Sequence, residues 1–217
     1  FNPNRRVPEP SLLGHSRLFL TFDDGPLNCT GHILDLLAAT GNKATFFAIG
    51  RNLAAKNLRA FAVRALKEGH DLGNHSYTHP DFATLSAKRA KEEIVATYNL
   101  IREIVEEAGV DPRKQNLFFR FPYGSAGNRS NHKATEEVLA ELNYATAWWD
   151  VDTNDWRMEL AWYPRPFSQV LASFKHAGAS DVVLLHDRNA TARHLPEMLK
   201  NLQARHFVSA PLSQYEL

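Results

Sequence analysis

Two aspartates stand side by side where an apolar run ends, in Leu18-Phe19-Leu20-Thr21-Phe22-Asp23-Asp24-Gly25-Pro26. Strands of a parallel sheet read as near-continuous apolar segments, so this run predicts a buried strand that stops at two carboxylates and a Gly-Pro turn. Adjacent like charges repel. A metal ion on one carboxylate and a basic side chain on the other would keep both ionised. Further along, His75-Ser76-Tyr77-Thr78-His79 sets two imidazoles four residues apart, a spacing that lets both reach one ion from a helical turn. With Asp24 as third ligand, two histidines and a carboxylate leave positions open for water and substrate, the pattern of a catalytic rather than a structural zinc. Non-haem iron oxygenases use the same ligand set, but usually on all-β scaffolds.

The scaffold expected here is different. Apolar runs predict strands near 17–22, 44–49, 70–73, 117–121, 145–150 and 181–186, with a weaker one near 206–209. Helical spacing of apolar residues fills the gaps. A first helix carries Ile33, Leu34, Leu36 and Leu37 and stops at Gly41; a second runs from about Leu53 to Lys67 and stops at Gly69. The longest starts at Ser86, carries Ile94, Tyr98, Ile101, Ile104, Val105 and Ala108, and stops at Gly109; glycine is the usual C-terminal stop. Others cover roughly 133–142, 167–177 and 194–204.

Strand–helix alternation over the whole length predicts an α/β fold of parallel strands with outer helices, either an open doubly wound sheet or a barrel. A complete eight-fold barrel typically takes about 250 residues, so a barrel in this 217-residue chain would be small or incomplete. Residues 1–16, with Pro3, Pro8 and Pro10, read as an extended N-terminal arm, and 17–217 as a single domain. The carboxyl ends of parallel strands converge on one face, where active sites are built. Five predicted strand ends carry ionisable groups: Asp23 and Asp24, His75 and His79, Arg120, Asp150 to Asp155, and His186 with Asp187.

Bulk properties narrow the function classes. A formal net charge of +1 gives no electrostatic case for nucleic acid or an anionic membrane. No apolar run reaches the roughly 18–20 residues of a membrane span. Cys29 is the only cysteine, so no internal disulfide framework is available. The first residue is Phe1 rather than Met, which suggests a processed or trimmed start, with no signal peptide visible.

Five segments occur in order: Thr21-Phe22-Asp23-Asp24-Gly25, His75-Ser76-Tyr77-Thr78-His79, Arg120-Phe121-Pro122-Tyr123-Gly124, Asp152-Thr153-Asn154-Asp155-Trp156 and Leu184-Leu185-His186-Asp187. Together they resemble the five motifs of the NodB-homology polysaccharide deacetylases, carbohydrate esterase family 4, over about residues 17–187. The resemblance implies a distorted (β/α) barrel with one divalent metal ion, usually zinc, cobalt or another ion being the alternative, that removes N- or O-acetyl groups from sugars. It implies Asp23 as catalytic base and Asp24, His75 and His79 as metal ligands. Arg120 would position Asp23, the Tyr123 backbone N–H would help form the oxyanion hole, and His186 would be the general acid, tuned by Asp155. Trp156 and Leu184 would line the pocket for the acetyl methyl. A secreted, periplasmic or cell-surface location and a monomer acting on an acetylated polysaccharide or oligosaccharide follow from the same resemblance.

The chemistry can also be read from the residues. Amide hydrolysis needs an activated water and a protonated leaving nitrogen. A metal lowers the pKa of its water to about 7 and polarises the carbonyl; Asp23, not used as a ligand, can take the proton. His186 is the best donor for the nitrogen, and an ionised Asp155 would favour its imidazolium. Arg120, between Phe119 and Phe121, is expected to be a buried partner of Asp23 rather than a surface ion pair. Asp150 and Asp152 are expected to be structural, and the remaining histidines to be surface or satisfied core residues. Trp148 and Trp149 point to opposite faces if they share a strand; Trp162 and Tyr163, on a loop with Pro164 and Pro166, either wall a sugar groove or pack. Segments 125–133 and 158–167 look longer than the minimal family connections, and loops shape substrate access. The favoured substrates are chitin oligomers or peptidoglycan, with acetylxylan as the ester alternative and a non-catalytic carbohydrate-binding protein as a third reading.

Overall fold

The computed structural model describes residues 16–112, 117–128 and 130–215; the arm expected over 1–16 lies outside them except for Ser16, which opens the first strand. In chain order the elements are β1 (Ser16–Gly25), α1 (Thr30–Ala39), β2 (Ala44–Ala48), α2 (Gly50–Leu53), α3 (Lys56–Lys67), β3 (Asp71–Asn74), α4 (Ala87–Ala108), β4 (Phe118–Phe119), α5 (His132–Glu141), β5 (Ala145–Thr146), β6 (Val151–Asp152), α6 (Phe167–Lys175), β7 (Val182–His186), α7 (Asn189–Ala204) and β8 (Phe207–Ser209). Strand order is β5-β4-β3-β2-β1-β7-β6, with β8 on β1. The pairs β1–β8, β3–β4, β4–β5 and β6–β7 are parallel. This is the α/β class expected, with the strand order of an incomplete (β/α) barrel.

The chain forms two compact units interleaved in sequence. One holds 16–22, 29–45 and 149–215; the other holds Asp23–Asn28 and Phe46–Trp148. In the first, Leu18, Leu20, Ile33, Leu34, Leu37, Phe174, Val183, Leu185, Leu195 and Leu199 are buried. Thr21 is held to β7 by a 2.8 Å bond from its hydroxyl to the Val183 carbonyl. In the second, Phe82, Ala90, Ile94, Phe119, Phe121, Val138, Leu139 and Tyr144 form one apolar cluster. α4 is built as its pattern predicts: the Ser86 hydroxyl caps the Arg89 N–H, Gly109 takes the left-handed stop at φ 69°, and Ala90, Ile94, Ile101, Ile104, Val105 and Ala108 face inward.

Three expectations are corrected. The run 145–150 holds one short strand, β5 at Ala145–Thr146, and β6 begins only after it, at Val151; the Ala147 and Trp148 carbonyls turn to the Arg120 guanidinium at 3.2 and 3.1 Å and are lost to the ladder. The helix expected over 53–67 is broken at Ala55, whose backbone is extended; the preceding turn is anchored instead by bonds from the Gly50 and Arg51 N–H groups to the Ser76 and Tyr77 carbonyls at 2.9 and 3.0 Å. α7 begins at Asn189 rather than 194, with Glu159 accepting the Ala190 N–H at 2.7 Å, a cap from a distant residue.

Gly50 matters for this anchoring. A Cβ there would run into the Thr97 hydroxyl and, at 2.6 Å, the Tyr77 ring. In an open helix Gly→Ala stabilises; here we expect Gly50→Ala to destabilise by about 1–3 kcal/mol, the usual cost of overpacking, read as a lower urea midpoint at unchanged slope.

Candidate active site and metal centre

β1 does not stop at the carboxylates but runs through them to Gly25, and the backbone turns left-handed at Asp24, φ 73°. The two side chains meet different surroundings. Asp23 is buried and accepts from Arg120 Nη1 at 2.8 Å. Asp24 lies against the histidines, 3.2 Å from His79 Nε2 and 3.8 Å from His75 Nε2, and its carbonyl accepts from Asn52 Nδ2 at 3.0 Å; the second oxygen of Asp23 also comes within 3.6 Å of His75 Nε2.

Arg120 follows β4 and is wholly buried. Besides Asp23 and the two carbonyls of Ala147 and Trp148, its guanidinium carbon stands 4.1 Å over the Phe47 ring. Burial pulls its pKa down and the adjacent Asp23 carboxylate opposes this; an arginine keeps its charge through such shifts. Its backbone carbonyl also reaches the site, lying 2.8 Å from His75 Nδ1. That contact places the Nδ1 proton toward the carbonyl and leaves Nε2 as the lone-pair nitrogen, the arrangement that orients metal-binding histidines.

His75 and His79 lie on a loop, not on the helical turn expected: Ser76 and His79 have φ 66° and 62°. Their rings still come within 4.9 Å of each other. One ligand atom from each of Asp24, His75 and His79 falls within 4.8 Å of the others. Tetrahedral zinc with bonds of 2.0–2.1 Å would space such atoms about 3.3 Å apart; the donor set suits a divalent ion of this kind, and the 3.2 Å between Asp24 and His79 matches that spacing. Beside them Tyr123 has φ 56°. Its ring is 72% exposed and edge-on to His79 at 4.6 Å. Among the described residues its N–H donates to no protein group, whereas the next two N–H groups, of Gly124 and Ser125, are taken by Phe121 and Pro122.

The remaining expected residues are in the other unit. His186, at the end of β7, has Nδ1 2.7 Å from Asp155 Oδ1, and its N–H donates to Oδ2 at 2.8 Å. Asp155 is fully buried and also accepts from the Thr191 hydroxyl. Leu184 is buried and Trp156 is 39% exposed. Next to His186, Asp187 accepts from the Thr30 hydroxyl and, at 3.1 Å, from the Cys29 thiol; burial and that carboxylate push the thiol up to about 12. Asp150 and Asp152 are engaged with backbone N–H groups, of Val182 and Asn154, at 2.9 and 2.8 Å.

A family model described as polysaccharide deacetylase matches residues 13–147, well over half of the chain. The chain belongs to the polysaccharide deacetylase family. It is similar to a chitooligosaccharide deacetylase of Bradyrhizobium, 34% identical, over 93% of this chain and 91% of that protein. It is also similar to the peptidoglycan-N-acetylmuramic acid deacetylase PdaC of Bacillus subtilis, 33% identical over 99% of this chain and 40% of that protein. The solved PdaC structure has a TM-score of 0.76 at 30% identity, covering 96% of this chain and 92% of that one. A family 4 carbohydrate esterase from Streptomyces lividans, in complex with acetate, has a TM-score of 0.72 at 28% identity over 89% and 91%. A bifunctional xylanase/deacetylase of Pseudobutyrivibrio xylanivorans matches 90% of this chain at 32% identity, and the match spans 29% of its own length. For the Listeria monocytogenes peptidoglycan deacetylase PgdA that share is 39%, so this chain spans a third or so of such relatives.

Sequence reasoning missed the residues that support these groups: Asn52, Asn74 and above all Glu93 in one unit, and Thr191 in the other. Of these Glu93 left a signal, a charged residue in the inward register of α4 between Ala90 and Ile94.

Removing Arg120 would leave Asp23 buried without its cation. Breaking a buried pair from one side costs about 3–5 kcal/mol, so Arg120→Ala is expected to lose that much stability in urea unfolding, and a loss of a few tenths would show that the pair is dispensable.

Proposed function

We propose that this protein is a metal-dependent hydrolase that removes acetyl groups from N-acetylated glycans, chitin oligosaccharides or peptidoglycan. The observation that carries the reading is the division of labour between the two neighbouring aspartates: one is claimed by a buried guanidinium, the other lies among two imidazoles. Asp24, His75 and His79 would hold one divalent ion, zinc being the best fit to two nitrogens and an oxygen. When bound, that ion supplies a Lewis acid that polarises the acetyl carbonyl and lowers the pKa of a water to about 7.

The chain's own groups do the rest. Asp23 takes the proton of the attacking water, with Arg120 fixing its position and charge. The Tyr123 N–H donates to the oxyanion of the tetrahedral intermediate; one such donor is worth about 3–4 kcal/mol. His186 gives its proton to the departing nitrogen, held by Asp155 through Nδ1. Trp156 and Leu184 line the pocket for the acetyl methyl. Residues 17–217 would work as one catalytic domain, as a monomer outside the cytoplasm, where such polymers lie; no helix among the described residues is long and apolar enough to cross a membrane.

The relatives named above include deacetylases of peptidoglycan and chitooligosaccharides, which supports the amide substrates. The xylanase/deacetylase relative supports acetylxylan as the alternative. A pseudoenzyme of the same family from Bacillus anthracis, 24% identical with a TM-score of 0.75, shares the fold alone. A binding-only role would require this complement of base, ligands and acid to be idle.

The deciding experiment is acetate release from chitin oligomers, peptidoglycan and acetylxylan, with zinc supplied and then stripped by chelator. Activity that survives complete metal removal would sink the metal assignment; metal-loaded protein that binds chitooligosaccharides but releases no acetate would favour the binding-only role. Asp23→Asn should retain zinc and lose turnover, whereas Asp24→Asn should lose zinc; the opposite pattern would exchange their roles. An alkoxide leaves more readily than an amine anion, so His186→Ala should harm amide hydrolysis far more than ester hydrolysis. Equal losses on the two substrates would remove His186 from the role of acid.

A further inference from the structure

Helix α4 buries a carboxylate. The Glu93 side chain is 1% exposed, on the same face as Ala90, Ile94, Thr97 and Ile101. A charge so placed is costly unless it is paired and hydrogen-bonded. Oε2 accepts the Tyr77 and Thr78 N–H groups at 2.9 and 2.7 Å. Oε1 accepts the Thr78 hydroxyl and Arg89 Nη2, both at 2.8 Å. Three of these four donors belong to the residues between His75 and His79.

That loop needs holding. Ser76 and His79 are both left-handed at φ 66° and 62°, and sparsely populated backbone states cost of order 1–3 kcal/mol each unless their surroundings over-determine them. Every N–H from Ser76 to His79 is claimed: Ser76 by Asn74 Oδ1 at 2.9 Å, Tyr77 and Thr78 by Glu93, and His79 by the Ser76 hydroxyl at 3.1 Å. The outward carbonyls of Ser76 and Tyr77 go to the start of α2. Of these holds, Glu93 is the charged one and the one that reaches the middle of the loop.

We infer that Glu93 is a positioning residue for the metal centre, its carboxylate fixing the His75–His79 loop in the chelating conformation before an ion arrives. This rests on the metal reading above. The alternative is that Glu93 serves only the packing of α4. The two separate in affinity: a positioning role moves the dissociation constant for the ion in protein that remains folded, and a packing role moves only the stability of the metal-free chain.

The test uses the full chain stripped of metal, titrated with Zn²⁺ against a chromogenic chelator, with metal-free melting curves run in parallel. Glu93→Gln keeps the size of the side chain but puts an amide NH₂ where a donor must be accepted. It should bind Zn²⁺ roughly 10–100-fold more weakly, the range for groups that support metal ligands, while still melting cooperatively without metal. Thr78→Val deletes one of the four donors and should give a smaller loss of the same sign; it carries the test if Glu93→Gln does not fold. Folded Glu93→Gln that binds Zn²⁺ as tightly as wild type overturns the inference, as does unchanged affinity in Thr78→Val when Glu93→Gln is unfolded. His79→Ala is the control. Weak binding there with unaltered Glu93→Gln sinks the role of Glu93 alone, whereas a wild type that binds no Zn²⁺ takes the metal reading down with it.

Discussion

The buried pair of Arg120 and Asp23 is the interaction on which the site depends. Two carboxylates next to each other on a strand would ordinarily share a proton or splay apart. A guanidinium at 2.8 Å gives Asp23 a fixed partner and so makes the two residues chemically different. The cation is itself tied by two backbone carbonyls and an aromatic face, so it cannot drift to Asp24. Arginine suits this position better than lysine because its planar fork serves several acceptors at once. The same residue also offers its carbonyl to His75 Nδ1. One buried side chain and its own peptide group thereby set the partner of Asp23 and the tautomer of a candidate ligand.

The second constraint is backbone conformation. Asp24, His79 and Tyr123 all have positive φ, a region that non-glycine residues enter rarely. Aspartate and histidine enter it more often than most residues; tyrosine gains nothing local from it. The strand end and the loop are held by bonds to residues remote in sequence, Asn52 and Glu93, and the turn at Tyr123 by local bonds from the Gly124 and Ser125 N–H groups to the Phe121 and Pro122 carbonyls. Turning the backbone this way lets a strand end and a loop direct consecutive groups at one point, which regular strands with alternating side chains cannot do.

These two constraints explain what could be read from the sequence and what could not. Apolar runs placed β1, β2 and β7, and the stripe on α4 placed that helix with its serine cap and glycine stop, because burial and capping act over a few residues. The candidate ligand and base residues stood out because their chemistry is rare and their order matched a family pattern. The loop geometry of His75 and His79 was not legible: the four-residue spacing suits a helix, and the reason it is not one lies in Asn74 and in Glu93, well along the chain. The broken strand at 145–150 was hidden for the same reason, since nothing local says that its carbonyls will be taken by Arg120.

The histidine at the end of β7 is built on a simpler plan. Asp155 receives the His186 N–H, the His186 ring and the Thr191 hydroxyl, all from one unit of the chain. With both oxygens occupied and no exposure, its orientation is fixed. Asp187 next to it is likewise committed, to Thr30 and Cys29 at the start of α1, and so cannot compete with Asp155 for the imidazole. Two adjacent ionisable residues are again set apart by what each is bonded to, as Asp23 and Asp24 are. At each of these places, the surroundings of a carboxylate are set by the donors around it rather than by its type.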